Sequence, residues 1–142
     1  MKTSILHFDY HVEQGDYTRA GKVSSKIKQA LSSIGINRKI LRNIAVASYE
    51  AEINMIIHAY GGMIHVDVFD DGTLVIQFND DGPGIENVEQ AMVPGYSTAN
   101  EQAREMGFGA GMGLPNMKRV CDEFAIETSP KGTHLTMMFN IA

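Results

Sequence analysis

The spacing of apolar residues changes once along the chain, and that change restricts the fold more than any other feature. Between Asp16 and Gly35, Ala20, Val23, Ile27, Ala30, Leu31 and Ile34 recur at three- and four-residue steps, which predicts an amphipathic helix with Gly35 as its stop. Asn37 can cap a second helical pattern from Arg38 to about Tyr60, ended by Gly61-Gly62. From Met63 the period drops to two. Met63–Phe69 and Thr73–Asp80 read as strands of an antiparallel hairpin turned at Asp70-Asp71-Gly72. Ser4–Tyr10 is β-leaning. A Gly-rich, polar stretch runs from Asp80 to Gly113, with a short helical turn expected at Val88–Met92. Pro115 then opens a helix through Asp122, and a second β pair, Phe124–Thr128 and Thr133–Phe139, closes the chain around Ser129-Pro130-Lys131-Gly132. No internal repeat, linker or low-complexity tract interrupts this order, so residues 1–142 read as one domain.

Composition sets the function classes. A chain of 142 residues can bury one core and is too short for two. Twelve Lys and Arg against 17 Asp and Glu leave a net charge of −5, which argues against nucleic acid or an anionic membrane as the main partner. The lone Cys121 excludes an internal disulfide and a Cys-rich zinc site, and reads as core with Leu114, Met117 and Val120. No apolar run approaches the length of a membrane span and no charged-then-apolar leader follows Met1, so a cytoplasmic location is expected.

Three groups of residues carry candidate chemistry. Glu50, Asn54 and His58 fall at i, i+4 and i+8 of the second helix. On a wheel, Glu50 and Asn54 lie between Val46, Ile53 and Ile57 on one edge and Ile44, Ala47 and Ala51 on the other, so they face the interior. A carboxylate there needs a partner or a wet cavity, and a neutral Asn oxygen suits a hard cation such as Mg²⁺. The plain alternative is a helix-to-core hydrogen-bonded pair.

The second group is Asp80-Asp81-Gly82-Pro83-Gly84-Ile85, where Asp80 continues the inward row Leu74, Ile76, Phe78. It can accept from a buried exocyclic amine, or it is part of an ordinary acidic turn. The third is Gly107-Phe108-Gly109-Ala110-Gly111-Met112-Gly113-Leu114-Pro115, which can align backbone N–H groups on phosphate or be a plain loop. It lacks the dinucleotide-fold glycine spacing, there is no Walker loop around Gly21-Lys22, and neither His-Arg-Asp nor Asp-Phe-Gly is present. His7 and His11 have a metal spacing only on a helix, in a segment that reads as β; Met112, Met117, Met137 and Met138 read as core.

In this order and spacing, the three groups resemble the ATP-binding domain of the GHKL superfamily. Tyr49-Glu50-Ala51-Glu52-Ile53-Asn54-Met55-Ile56-Ile57-His58-Ala59-Tyr60 looks like the helix block of the small anti-sigma-factor serine kinases. Gly95-Tyr96-Ser97-Thr98, Gly111-Met112-Gly113-Leu114-Pro115-Asn116-Met117-Lys118-Arg119 and Asp122-Glu123-Phe124 look closer to the switch-kinase branch. The resemblance implies a Bergerat-type α/β two-layer sandwich, a mixed, mostly antiparallel sheet with helices on one face. It implies ATP and Mg²⁺ as cofactors, Glu50 as general base, Asn54 as Mg²⁺ ligand, and Asp80 as acceptor for the adenine amine. Gly82 and Gly84 would shape the adenine end, Gly109, Gly111, Gly113 and Leu114 would line the phosphates, and Thr133 would support adenine through Asp80 and water. A lid would span about 93–110. The segment Asn100–Met106 is longer than in switch kinases, and Arg104 stays a candidate phosphate contact only.

The implied activity is phosphorylation of Ser or Thr on a small antagonist-type regulatory protein or a sigma-factor-like partner, with a homodimer compatible with the branch. An ATP-gated binding module without transfer is the alternative from another class; a nucleotide-independent interaction domain would leave Glu50 and Asp80 facing inward without a reason.

Overall fold

The computed structural model describes residues 2–15, 19–58, 61–82, 84, 92 and 113–142, with no side chains described at 57 and 58. Five strands, β1 (Ser4–Val12), β2 (Gly62–Phe69), β3 (Thr73–Asp80), β4 (Glu123–Ser129) and β5 (Gly132–Asn140), form one open sheet in the order β1-β2-β3-β5-β4. Every pairing among them is antiparallel. Three helices accompany them: α1 (Lys22–Ser32), α2 (Arg38–His58) and α3 (Gly113–Val120).

Period-two alternation decides which side of the sheet the helices cover. Ile64, Val66, Val68, Leu74, Ile76, Phe78, Leu135, Met137 and Phe139 are buried and join Ile27, Leu31, Ile44, Ala47 and Met117 from the helices in one core. The intervening residues look the other way, so Met138 lies half-buried on the open face while Met137 is core. Of the other methionines expected in the core, Met117 is there and Met112 lies outside the described residues. Cys121 is partly buried against the same cluster.

The turn chemistry holds where it was legible. Asp71 Oδ1 accepts from the backbone N–H of Thr73 at 3.1 Å and from its hydroxyl at 2.6 Å, which fixes the β2–β3 turn. Asn37 Oδ1 accepts from the Lys39 N–H at 2.8 Å and caps α2. Pro115 falls within the first turn of α3, which begins two residues before it, where a missing N–H leaves no helix bond unmade.

Helix α1 differs from its expected span. It starts at Lys22, with Gly21 at the N-cap in a left-handed conformation (φ 91°), and ends at Ser32, so Ala20 and Ile34 fall outside it and Ile34 is exposed. The cause is remote in sequence. Gly21 has no side-chain cap to offer, and the carboxylate of Glu52 on α2 takes over: Oε2 accepts from the N–H groups of Gly21 and Val23, both at 3.2 Å, and Oε1 from that of Ser24 at 3.0 Å. Glu52 is 2% exposed, the most buried charged residue described. Its negative charge also complements the positive end of the α1 dipole. Glu52→Ala leaves three N–H groups without their acceptor and is expected to destabilise the protein by about 2 kcal/mol, the upper end for loss of a helix cap. Urea denaturation followed by circular dichroism reads this as a lower midpoint at constant slope.

Candidate functional site

Helix α2 delivers Glu50 and Asn54 one turn apart, both half-buried, between the buried residues Ala47, Ala51, Ile53 and Met55. The wheel has them facing the interior; the structure instead puts them at the boundary of the core, and the fully interior carboxylate is Glu52. Residues two apart on a helix point about 200° apart, so the structural acid and the candidate catalytic acid share one helix and look in nearly opposite directions. Asn116 on α3 donates from Nδ2 to Glu50 Oε1 at 3.4 Å. This bond ties the carboxylate to the helix that Gly113 begins. Leu114, in contrast, is 5% exposed and packed in the core, so its side chain holds α3 in place and only its backbone N–H can face a ligand.

Burial pushes the Glu50 carboxyl above its ordinary value, and the Asn116 bond offsets part of the rise. A raised acid penalises the folded protein once ionised, so Glu50 weakens the fold progressively as pH rises through its shifted value. Glu50→Gln removes that penalty. Its thermal midpoint is expected above that of the parent protein at pH 7, with the difference closing as the pH is lowered below the ordinary glutamate range. Calorimetry at both pH values checks this.

The second half of the site lies where β3 ends against the β4–β5 turn. Asp80 Oδ1 accepts two backbone N–H bonds, from Gly82 at 3.0 Å and Thr133 at 2.8 Å. Burial raises the Asp80 carboxyl from its ordinary value, the two N–H bonds pull it partly back, and the charge of Asp81 adds to the rise. Thr133 is 6% exposed and reaches Asp80 directly through its own N–H, while its hydroxyl shares a 2.9 Å bond with the Thr128 hydroxyl. Thr133 and Asp80 are thus tied directly to each other through the backbone. Gly84 has φ 89°, and a Cβ there would sit 2.0 Å from the Ser129 carbonyl oxygen. Only glycine allows the segment after Asp80 to lie this close to the β4–β5 turn.

A groove of about 320 Å³ runs between α1 and α2, lined by Ser24, Lys28, Arg42, Val46, Tyr49 and Glu50 among others. It brings two cationic side chains and the exposed Tyr49 ring to the neighbourhood of the Glu50 carboxylate. Gly109, Gly111, Arg104, His58 as a side chain, the whole of the expected lid at about 93–110 and the turn at Val88–Met92 (Met92 apart) lie outside the described residues. The structure thus places Glu50 with Asn54 and Asn116, and Asp80 with Gly82 and Thr133. Asn116 and Glu52 were not singled out from sequence; Glu52 had a signal, since a second carboxylate two residues after Glu50 falls on another face of the same apolar helix.

Residues 14–139 match the model of the histidine kinase-like ATPase domain. The chain belongs to this ATPase family. Its anti-sigma and switch-kinase branch is marked by curated relatives: the anti-sigma F factor of Caldanaerobacter subterraneus is 40% identical, the match spanning 68% of each chain. That of Clostridium novyi is 33% identical over 75% of this chain and 76% of its own. Among solved structures, the RsbU and RsbW domains of a Mycobacterium tuberculosis protein superpose with TM-score 0.67 at 15% identity, covering 96% of this chain and 32% of that one. The SiaB–SiaC complex of Pseudomonas aeruginosa gives TM-score 0.59 at 12% identity, covering 96% and 89%. These two show the shared fold, an antiparallel sheet with helices on one face. A histidine kinase-like ATPase domain of the anti-sigma branch has an ATP-binding, regulatory role. No helix among the described residues is long and apolar enough to cross a membrane.

Proposed function

We propose that this protein is an ATP-dependent serine/threonine kinase whose substrate is a small, antagonist-type regulatory protein. The observation that carries the reading is the Asn116–Glu50 bond, which holds a half-buried carboxylate with a raised pKa beside the helix that follows the glycine-rich segment. A carboxylate so placed is a stronger base than one in water. It takes the proton of the partner's Ser or Thr hydroxyl as that oxygen attacks the γ-phosphorus; the bond from phosphorus to the bridging oxygen breaks and ADP leaves. Asp80 accepts from the adenine amine, with Gly82, Gly84 and Thr133 forming the surface around it. Gly109, Gly111 and Gly113 offer backbone N–H groups to the phosphates.

One half-buried neutral oxygen on Asn54, a helical turn from Glu50, fits Mg²⁺, which keeps several waters and takes its remaining ligands from phosphate. Bound there with ATP, Mg²⁺ supplies charge neutralisation at the phosphates. The groove with Lys28, Arg42 and Tyr49 offers the partner a docking place that ends at the base. Its cationic rim suits an acidic segment carrying the acceptor residue.

Incubation with γ-labelled ATP and a lysate of the source cells, followed by identification of the labelled protein, tests the reading. Label on Ser or Thr of one small protein is the expected result. Tight ATP binding with no label transferred to any protein would instead make the chain an ATP-gated binding module.

A further inference from the structure

We propose that the open face of the sheet carries a transition-metal site, independent of nucleotide, in which His7, Asp9 and His65 are the ligands and Asp67 orients His7. The register places His7 opposite Asp67 and Asp9 opposite His65 on the antiparallel pair β1–β2. Imidazole and carboxylate thus alternate in a two-by-two block on the side of the sheet away from the helices. One ligand atom from each of His7, Asp9 and His65 lies within 4.8 Å of the other two. His7 Nε2 is 2.8 Å from Asp9 Oδ1, and His65 Nδ1 contacts the same oxygen. The two rings lie nearly parallel, their centroids 6.2 Å apart.

The fourth residue makes this more than a cluster of polar side chains. His7 Nδ1 is 2.7 Å from Asp67 Oδ1, and Ser4 Oγ donates to that same oxygen at 2.9 Å, so the carboxylate is held in place on the outer side of the ring. With a carboxylate at each ring nitrogen, His7 donates from both; an ion entering between the ligands takes the place of the Nε2 proton shared with Asp9, while Asp67 keeps the proton on Nδ1, as in the carboxylate–histidine–metal arrangement of protein zinc sites. Two imidazoles and one carboxylate suit Zn²⁺ and its neighbours over Mg²⁺, and tetrahedral coordination leaves a fourth position for water. The site reaches solvent, with His7 and Asp9 side chains both 48% exposed and His65 30%. An ion here joins the edge strand β1 to β2 at points 58 residues apart in sequence, since 65 less 7 is 58.

Zn²⁺ titrated into nucleotide-free protein, in the presence of excess Mg²⁺, is the test. Calorimetry is expected to give one ion per chain, and proton NMR to shift the His7 and His65 ring signals but not those of His11 and His134. His65→Ala and His7→Ala should abolish the binding. Asp67→Asn, which keeps the fold contacts of a similar side chain, should weaken it about 10- to 100-fold. Cys121→Ser and His11→Ala should leave it unchanged. No saturable binding tighter than about 1 mM, the same affinity in His65→Ala as in the parent, or loss of binding in Cys121→Ser would each overturn the proposal. None of these measurements involves ATP, so they stand apart from the kinase reading.

Discussion

Glu50→Ala is expected to keep ATP affinity within a few-fold and to lower phosphoryl transfer about 10²- to 10⁴-fold, the range for loss of a general base. The separation follows from where Glu50 sits. Its one side-chain partner among the described residues is Asn116, at the long distance of 3.4 Å, whereas the residues assigned to adenine are on β3 and β5 and are held by their own backbone bonds. Removing the carboxylate therefore deletes a group that acts on the acceptor hydroxyl in the transition state and leaves ground-state contacts to nucleotide intact. Because burial disfavours the charged form, the truncation also relieves a desolvation penalty, and an unchanged or higher thermal midpoint on the same preparation separates lost activity from lost fold. The measurement is single-turnover transfer from labelled ATP beside calorimetric ATP binding on the same preparation. Unchanged turnover would remove Glu50 from the chemistry and favour the gated module. Asn54→Ala should differ in kind, with Mg²⁺-dependent binding of ATP lost first.

How much of this could be read from the chain alone depended on the distance over which each feature is determined. The hairpin around Asp71-Gly72, the Asn37 cap and the inward row ending at Asp80 are fixed by neighbours within a few residues, and all three are seen in the structure. The start of α1 is set by Glu52, 28 to 31 residues away, and no local pattern around Gly21 contains that carboxylate. The His7–Asp9–His65 block is hidden for the same reason. Along β1 the spacing of His7 and His11 draws attention to the wrong pair, because the second imidazole arrives from β2 through strand register, 58 positions on, and His11 faces Met63 instead. Leu114 shows a third limit: a residue inside a motif can have its side chain in the core, so membership of the motif does not say what the side chain does.

Asp80→Asn is expected to lower ATP affinity by about 10- to 150-fold, corresponding to the 1.5–3 kcal/mol of a hydrogen bond to a charged acceptor. The structure fixes which way the new amide must point. Both backbone bonds, from Gly82 and Thr133, fall on Oδ1 of Asp80, so Asn at this position keeps its single oxygen there and turns Nδ2 to where Oδ2 stood. That orientation preserves the close packing of the segment after β3 against the β4–β5 turn, and, with the raised carboxyl gone, the thermal midpoint at pH 7 should rise rather than fall. It also sets a donor against the adenine amine, itself a donor, leaving both without an acceptor. The carbonyl of guanine at the same place can accept from Nδ2, so GTP affinity should fall less than ATP affinity or rise, and the preference for adenine should narrow. Calorimetry with ATP and GTP on both proteins measures the two ratios. Equal ATP affinity in the parent and Asp80→Asn would show that Asp80 serves the turn alone, with the adenine pocket elsewhere.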